Sequence, residues 1–357
     1  MTEPKRRHVV ITGVSTGIGF AIARALVEHD VHVFGSVRRQ EDADRVRVEL
    51  GGRFTPLLFD VTDVTAIQAS VPVVAEALEG ATLFGVVNNA GIAMGGPLIH
   101  QSLDEVRRHL EVNTLGALAT VQAFAPLLGT DRSRRGKPGR IVNISSVAGR
   151  VSAPFLGAYA ASKRALEGMS HSLRRELMLF GIDVIIINPG SVVTPIWDKA
   201  ESLDIAPYSA TEYAPFLERF RKAALKSGRS GLQPDAVGRV VWTALTAARP
   251  RSSYPILRRR LLNWTIPLAL PVRVIDSLVA RRLDSAGNWE WGQDSESRPQ
   301  SHSEPPNAVT TAWCTSRACC GRNLYGDVRG AGDDVGHVRP AAGPCGGDVQ
   351  SVVRRTE

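Results

Sequence analysis

Short apolar runs alternate along the first 284 residues with segments whose apolar residues recur every three or four positions. Near-continuous apolar runs are typical of strands that are buried on both faces of a parallel sheet. A stripe such as Ile18, Ile22 and Leu26 predicts an amphipathic helix. We therefore predict a doubly wound α/β fold, in which a parallel sheet of about seven strands carries helices on both faces. Six strands are predicted at 9–12, 31–36, 56–59, 83–87, 140–145 and 183–188, and one long helix over about 157–180.

The composition of the chain changes after residue 284. The stretch 285–357 contains ten glycines and a single leucine, and it lacks isoleucine, phenylalanine, methionine and lysine. Such a segment buries too little apolar surface to offset the entropy that is lost on ordering. We therefore predict one domain over 1–284, followed by a low-complexity, disordered tail over 285–357.

All four cysteines lie in this tail, so no disulfide framework can hold the first 284 residues together. Zinc binding is an alternative role for them, because zinc takes thiolate and imidazole ligands. The spacing lacks the paired C-x₂-C pattern of zinc sites, and we expect no metal site. The residues concerned are Cys314, Cys319, Cys320 and Cys345, with His302 and His337.

The segment after the first predicted strand is rich in glycine and opens the first helix. It reads TGVSTGIG over 12–19, with glycines at Gly13, Gly17 and Gly19. Glycine allows a tight turn and a close backbone approach, and a helix N-terminus offers unpaired N–H groups to a phosphate. The pattern predicts a dinucleotide site of the Rossmann type, with a purely structural turn as the alternative.

The end of the second predicted strand carries arginines where a carboxylate would favour NAD. Arg38 and Arg39 stand there, and the next carboxylate is Glu41. An acidic residue at this point binds a ribose 2′-hydroxyl, whereas arginine matches a 2′-phosphate in charge and geometry. We therefore expect NADP(H) to be preferred over NAD(H). The alternative is that both arginines are simply solvated.

Further motifs follow in order along the chain. They are DVTD at 60–63, NNAG at 88–91, VN at 112–113, NISS at 143–146, YAASK at 159–163 and PGSVVT at 189–194. Together with TGVSTGIG, these motifs resemble the short-chain dehydrogenase/reductase family over about residues 5–283. Within that family the chain looks most like the single-domain enzymes that act on hydroxysteroids, retinoids and similar lipophilic substrates.

The resemblance implies a set of cofactor contacts. The glycine-rich turn, including Ser15, Thr16 and Ile18, is expected to hold the phosphates. Asp60 is expected to hydrogen-bond the adenine, with Val61 beside it. Asn89, Ala90 and Gly91 are expected near the adenosine ribose and backbone. The loop that begins with Pro189 and Gly190 is expected to bracket the nicotinamide, with Val192 near its carboxamide and Thr194 near a phosphate.

Four residues are candidates for the chemistry. Tyr159 and Lys163 lie four apart in the predicted long helix and share one face. A free tyrosine has a pKa near 10, and a neighbouring ammonium is expected to lower that pKa for acid–base work. Ser146 can donate to the substrate oxygen, with Ser145 as its rival; the family's spacing selects Ser146. The resemblance implies that Lys163 binds the nicotinamide ribose. It also implies that the backbone carbonyl of Asn113 holds a water, which connects Lys163 to solvent.

These residues predict reversible hydride transfer between NADP(H) and a lipophilic alcohol, ketone or aldehyde, with Tyr159 as general acid and base. The aromatic-rich segment 191–232 is expected to cover an apolar pocket, although it could also be an amphipathic helix packed on the domain. A non-catalytic NADP(H)-binding sensor or scaffold is the main alternative. An epimerase or dehydratase is a second one.

The sequence also indicates what the protein is expected to bind and where it is expected to reside. The segment 257–283 combines apolar residues with six arginines, so it predicts either peripheral contact with an anionic membrane or a helix that caps the domain. We expect no nucleic-acid binding, because the basic residues are scattered and no aromatic platform is interleaved with them. A homodimer or homotetramer is expected by analogy with the family. No apolar run of signal-peptide length precedes the first strand, so we expect a cytoplasmic protein.

Overall fold

Seven strands form one parallel sheet in the computed structural model of the protein, which describes residues 7–202 and 204–284. The strands are β1 (Arg7–Ile11), β2 (Val31–Val37), β3 (Phe54–Leu58), β4 (Gly85–Asn88), β5 (Arg140–Ile144), β6 (Asp183–Pro189) and β7 (Ser253–Ile256). Their order is β3-β2-β1-β4-β5-β6-β7, and neighbouring strands run parallel. Strands β2 and β3 lie on one side of β1 and strands β4 to β7 lie on its other side, so the strand order reverses between β1 and β4. Ligands of doubly wound sheets bind beyond the carboxyl ends of the strands at such a point.

The predicted fold class is confirmed, and the six predicted strands match β1 to β6 with ends displaced by a few residues. Strand β7 was not predicted from the sequence. This strand is four residues long, contains Pro255 and has only half-buried side chains, so it shows neither a buried run nor a clear alternation. A proline is tolerated there because β7 is an edge strand and pairs with β6 alone.

Helices cover both faces of the sheet. Val9 and Ile11 of β1 enter one core with Ile22, whereas Val10 between them enters the other core with Phe124. Successive residues of a strand are therefore all buried, which explains the continuous apolar runs of the sequence. The helices of the described residues are α1 (Gly17–Glu28), α2 (Gln40–Leu50), α3 (Val64–Ala77), α4 (Leu103–Leu110), α5 (Gly116–Ala125), α6 (Gly157–Glu176), α7 (Ile196–Glu201), α8 (Ala214–Arg229), α9 (Asp235–Thr246), α10 (Ile266–Ala269) and α11 (Val272–Asp284).

The predicted long helix corresponds to α6, continued by a 3₁₀ turn at Leu177–Phe180. A second long helical run joins α4 to α5 through a π-helical turn at Glu111–Leu115. It begins at a capping box, in which Ser102 and Glu105 satisfy each other's backbone N–H groups. Among the described helices, this run at Leu103–Thr130 is the one long and apolar enough to cross a membrane by length and composition. Inside the domain, 56% of its apolar 18-residue stretch is buried.

The remaining described segments lie after β6. The predicted cover over 191–232 contains α7, a 3₁₀ turn at Ala206–Tyr208 and α8. After β7 come a π-helical turn at Leu261–Thr265, then α10 and α11. The predicted tail over 285–357, with its cysteines and histidines, lies outside the described residues, so the predicted domain boundary stays a prediction.

Candidate active site

The motif residues meet at the carboxyl edge of the sheet. A Cβ placed on Gly13 would lie 3.0 Å from Cα of Ala90, so the turn after β1 touches the turn after β4. A Cβ on Gly17 would lie 3.2 Å from Cγ2 of Thr194, which brings the loop after β6 to the start of α1. The sequence-distant motifs therefore border one region, as the topology predicts.

The glycine-rich turn requires glycine at each predicted position. Gly13 and Gly17 have φ angles of +70° and +62°, a backbone region that strongly favours glycine. A Cβ on Gly19 would come within 2.0 Å of the carbonyl oxygen of Gly13, and no movement of a flexible side chain could relieve that contact. Asn89 holds the turn from the other side, because its Nδ2 donates to the carbonyls of Thr12 (3.0 Å) and Gly13 (2.9 Å).

The start of α1 is built to receive an anion. Thr16 occupies the N-cap with extended backbone, but its side chain makes no capping hydrogen bond, and the first turn contains no acidic residue. Ser15 and Ile18 flank this end and are half-buried. Uncapped N–H groups at the positive end of a helix dipole are a typical phosphate site. The turn therefore fits the pyrophosphate of a dinucleotide.

The predicted 2′-phosphate residues are exposed at the end of β2. Arg38 contacts Asp60 with 3.7 Å between Nη1 and Oδ2, and Arg39 contacts Asp42 with 3.1 Å between Nε and Oδ2. Burial raises the pKa of Asp60, but hydrogen bonds from Thr62 and the charge of Arg38 outweigh it, so the pKa of Asp60 is lowered and the carboxylate is ionised. Both arginine side chains are mostly exposed, so either can turn toward a phosphate.

Two of the predicted contact residues have buried side chains. Val61 is buried against Gly116, on which a Cβ would lie 2.9 Å from the valine side chain. Val192 is also buried, and its carbonyl accepts a hydrogen bond from Nε1 of Trp197 at 2.7 Å. Gly190 donates from its backbone N–H to Ile256 at 2.8 Å, which ties the loop after Pro189 to β7.

Ser146 caps the 3₁₀ turn that follows β5, and Tyr159 lies in the first turn of α6. A hydrogen bond with Ser146 lowers the pKa of the Tyr159 phenol, but burial raises that pKa more strongly, and the net direction is upward. Lys163 is 5% exposed; burial lowers its pKa to about 8, and its Nζ donates to the carbonyl of Ile144 at 2.9 Å. The structure thus reverses the expected direction for Tyr159, because burial outweighs the help of polar neighbours.

Asn113 lies in the π-helical turn and is 1% exposed. Its Oδ1 accepts from the backbone N–H of Ile92 (2.8 Å), and its Nδ2 donates to the carbonyl of Ile92 (2.9 Å) and to Oγ of Ser162 (2.9 Å). Its side chain therefore clamps the loop after β4 to α6. A Cβ on Gly91 would lie 3.0 Å from Oδ1 of Asn113 and 3.4 Å from Nζ of Lys163, so these three predicted residues are neighbours.

Residues 7–204 match the short chain dehydrogenase family. The chain belongs to that family. An NADPH-dependent 3-dehydrocapnine reductase from Ornithobacterium rhinotracheale is 35% identical to it over 277 residues, which span 78% of this chain and 97% of that protein. Retinol dehydrogenase 5 from Homo sapiens is 34% identical, over 76% of this chain and 87% of its own length. A solved short-chain dehydrogenase from Streptomyces avermitilis, at 24% identity, matches the fold with a TM-score of 0.62 and covers 81% of this chain and 100% of its own.

Thr12 supports this short-chain dehydrogenase site, although it was not among the predicted site residues. Thr12 is 2% exposed, and its Oγ1 accepts from the backbone N–H groups of both Asn89 and Ala90 at 3.0 Å. The hydroxyl therefore fixes the turn after β4 against the turn after β1. A polar residue at the end of an otherwise apolar strand was the available signal, because a buried hydroxyl needs a partner.

The segment after β6 contacts the loop that precedes Tyr159. The Phe155 ring lies 6.2 Å from that of Tyr213 and 5.5 Å from that of Phe220, both at edge-to-face angles. Phe155 has a φ of +63°, which costs energy for a bulky side chain. The aromatic segment after β6 therefore packs against Phe155.

Proposed function

We propose that the protein is an NADP(H)-dependent oxidoreductase that transfers hydride reversibly between the nicotinamide and a lipophilic alcohol, ketone or aldehyde. The observation that carries the proposal is the position of Lys163, which is buried on the helix of Tyr159, is held by the carbonyl of Ile144 at the end of β5 and lies beside Gly91 of the turn after β4. A scaffold that only binds the cofactor has no chemical need for the pair of Tyr159 and Lys163.

The reduced nicotinamide supplies the hydride when it is bound. Tyr159 donates its phenolic proton to the substrate oxygen, and Ser146 donates a hydrogen bond to the same oxygen as negative charge develops there. The raised pKa of Tyr159 keeps the phenol protonated at neutral pH, as a proton donor requires. In the oxidation direction Tyr159 must first lose its proton, so we expect oxidation to gain more than reduction from a higher pH.

The preference for NADP(H) is supported by Arg38 and Arg39, since both side chains are exposed where the 2′-phosphate is expected. The related 3-dehydrocapnine reductase is named as NADPH-dependent, which agrees with this preference. We expect the double variant Arg38→Leu/Arg39→Leu to weaken NADPH binding at least ~10-fold and to leave NADH binding unchanged. Arg47→Leu is the control, because Arg47 is an exposed arginine on α2. An equal loss for both cofactors would refute the role of the arginines.

The lipophilic substrate class is supported by the ring cluster of Phe155, Tyr213 and Phe220 near Tyr159. A relative is named as a retinol dehydrogenase, and retinol is a lipophilic alcohol. Apolar and aromatic walls with a few polar groups are typical of sites for such molecules. A screen of NADPH oxidation with lipophilic ketones and aldehydes, set against small hydrophilic carbonyls, tests this class.

The acid–base role is tested by Tyr159→Phe. We expect turnover to fall by at least ~100-fold, the usual scale for the loss of a general acid or base, while NADPH binding stays within about 2-fold. Tyr254→Phe is the matched control, because Tyr254 lies on edge strand β7 and its hydroxyl accepts from the backbone of Arg251. Near-normal turnover of Tyr159→Phe would refute the assignment. NADPH binding by the unaltered protein without turnover of any carbonyl would favour a sensor or scaffold.

A further inference from the structure

The last described part of the chain, residues 257–284, exposes much apolar surface; we call it the C-terminal segment. Leu261 is 64% exposed and Val272 is 74% exposed. Every side chain that the structure describes between 257 and 281 is exposed or half-buried. A helix that caps the domain would bury an apolar face, so these exposures favour another role for the segment. The other large apolar side chains exposed in it are Leu262, Ile266, Leu268, Val274 and Leu278.

The same segment is strongly basic. It contains six arginines and two aspartates, Asp276 and Asp284. Within the described residues, none of the arginine side chains of this segment forms an ion pair with a carboxylate. The described arginines are Arg258, Arg259, Arg260, Arg273 and Arg281, and all of them are exposed.

The helices of the segment are too short to cross a bilayer. α11 has 13 residues and is separated from the 4-residue α10 by Pro271, whereas a spanning helix needs about 20. Short helices that combine exposed apolar side chains with arginines lie in the plane of a membrane surface. A second copy of this chain fits less well, because two such segments would bring like charges together.

We propose that the C-terminal segment docks the protein on an anionic phospholipid surface. Its leucine and valine side chains enter the interface, and its arginines bind the lipid phosphates. This proposal does not depend on the proposed reaction.

The test is sedimentation of the full chain with vesicles of phosphatidylcholine, alone or with about 30% phosphatidylserine. We expect binding to the anionic vesicles only. Arg258→Gln/Arg259→Gln/Arg260→Gln should weaken it about 100-fold, since each arginine near an anionic surface contributes about 1 kcal/mol and 1.4 kcal/mol is a factor of ten. Arg47→Gln/Arg175→Gln/Arg249→Gln is the control, because it removes the same charge from exposed positions elsewhere.

A second pair of variants tests how the apolar side chains contribute to vesicle binding, separately from the charges. Leu261→Ser/Leu262→Ser should also reduce vesicle binding, whereas Val48→Ser, at a position that is 84% exposed on α2, should not. Absence of binding to anionic vesicles would overturn the proposal. So would equal binding by both triple variants, or a lipid-free oligomer that Leu261→Ser/Leu262→Ser dissociates.

Helix α6 also carries a buried carboxylate that the proposed reaction does not use. Glu167 lies one turn beyond Lys163 on α6 and is 2% exposed. Its Oε1 accepts from Oγ of Ser145 at 2.9 Å and from Nδ2 of Asn188 at 2.5 Å, and its Oε2 accepts from Nε of Arg150. The Glu167 carboxylate thus links α6, which carries Tyr159, to the end of β5, the end of β6 and the turn after β5.

The network reaches Ser146 by two routes. Ser145 is its chain neighbour, and Nδ2 of Asn188 also lies 3.3 Å from the Ser146 carbonyl oxygen. We infer that Glu167 is a positioning residue that sets the Ser146 hydroxyl against Tyr159. This inference rests on the proposed function.

The test is Glu167→Gln, which keeps the shape of the side chain and removes its charge. We expect kcat to fall about 10-fold through displacement of Ser146, with NADPH affinity within about 2-fold. Because the Ser146 hydrogen bond lowers the pKa of Tyr159, the basic limb of the pH–rate profile should move to higher pH. Glu176→Gln is the control, since Glu176 is exposed on the same helix.

A purely structural role predicts lower stability with an unchanged kcat and pH profile, and that result would overturn the inference. If Glu167→Gln does not fold, Ser145→Ala removes one hydrogen bond of the network and gives the same readouts. If the unaltered protein reduces no carbonyl in the same assay, the proposed function has failed rather than the role of Glu167.

Discussion

The buried ammonium of Lys163 provides a test that needs neither cofactor nor substrate. Burial lowers its pKa from 10.5 to about 8 in the folded protein. The unfolded chain therefore binds more protons than the folded chain between about pH 8 and pH 10.5. Stability must rise with pH across this window, because the cost of burying the charge is present below pH 8 and disappears as the lysine becomes neutral.

The size of the effect follows from the two pKa values. At 1.36 kcal/mol per pKa unit, the buried charge costs about 3 kcal/mol near pH 7. Only part of that cost is removed by pH 9.5, because the unfolded lysine is still mostly protonated there. We expect Lys163 to regain about 2 kcal/mol of stability between pH 7 and pH 9.5.

The perturbation is Lys163→Met, which keeps the length of the side chain without a titrating group. Loss of the hydrogen bond to Ile144 costs about 1–3 kcal/mol at every pH, so the change with pH is the quantity that matters. Urea unfolding at several pH values from 7 to 9.5 should show the unaltered protein gaining about 2 kcal/mol relative to the variant. Lys226→Met, at an exposed position on α8, should show no such change. Parallel pH curves for Lys163→Met and the unaltered protein would refute the reasoning.

Two further predictions follow from the packing, and a third follows from the composition of residues 285–357. Gly19→Ala should destabilise the protein by at least ~2 kcal/mol in urea unfolding, because its Cβ would overlap a backbone carbonyl, whereas Gly52→Ala, where a Cβ meets nothing within 4 Å, should stay within about 0.5 kcal/mol. Asn113→Ala should cost about 3 kcal/mol, since it leaves buried backbone groups unpaired; exposed Asn263→Ala should be near neutral. Deletion of 285–357 should leave NADPH oxidation unchanged, and lost activity would assign the tail a role.

The parts of the site that depend on local sequence were predictable. The glycine positions follow from backbone geometry, and the structure shows positive φ or no room for a Cβ at each of them. The shared face of Tyr159 and Lys163 follows from helical spacing. The family resemblance adds Asn113 and selects Ser146, neither of which local spacing could identify.

The parts that depend on tertiary burial were not predictable. Glu167 looks like one more charged residue on a helix until Ser145, Arg150 and Asn188 are brought around it by three different segments. The direction of the Tyr159 pKa was expected to be downward because spacing reveals the nearby lysine but not the loss of water around the phenol. Hydrophobic pattern could not reveal β7, because all four of its side chains are half-buried.

The surroundings of Lys163 also bear on which ligand the site is built for. An ammonium has three donors, and the described part of the chain gives it one acceptor, the carbonyl of Ile144. Burying an ammonium is unfavourable, and the lowered pKa of Lys163 reflects that cost. A ligand with vicinal hydroxyls, such as a ribose, would accept from those donors and relieve the cost. Under the proposed function, these donors would bind the nicotinamide ribose, which is the role that the family resemblance implies for Lys163.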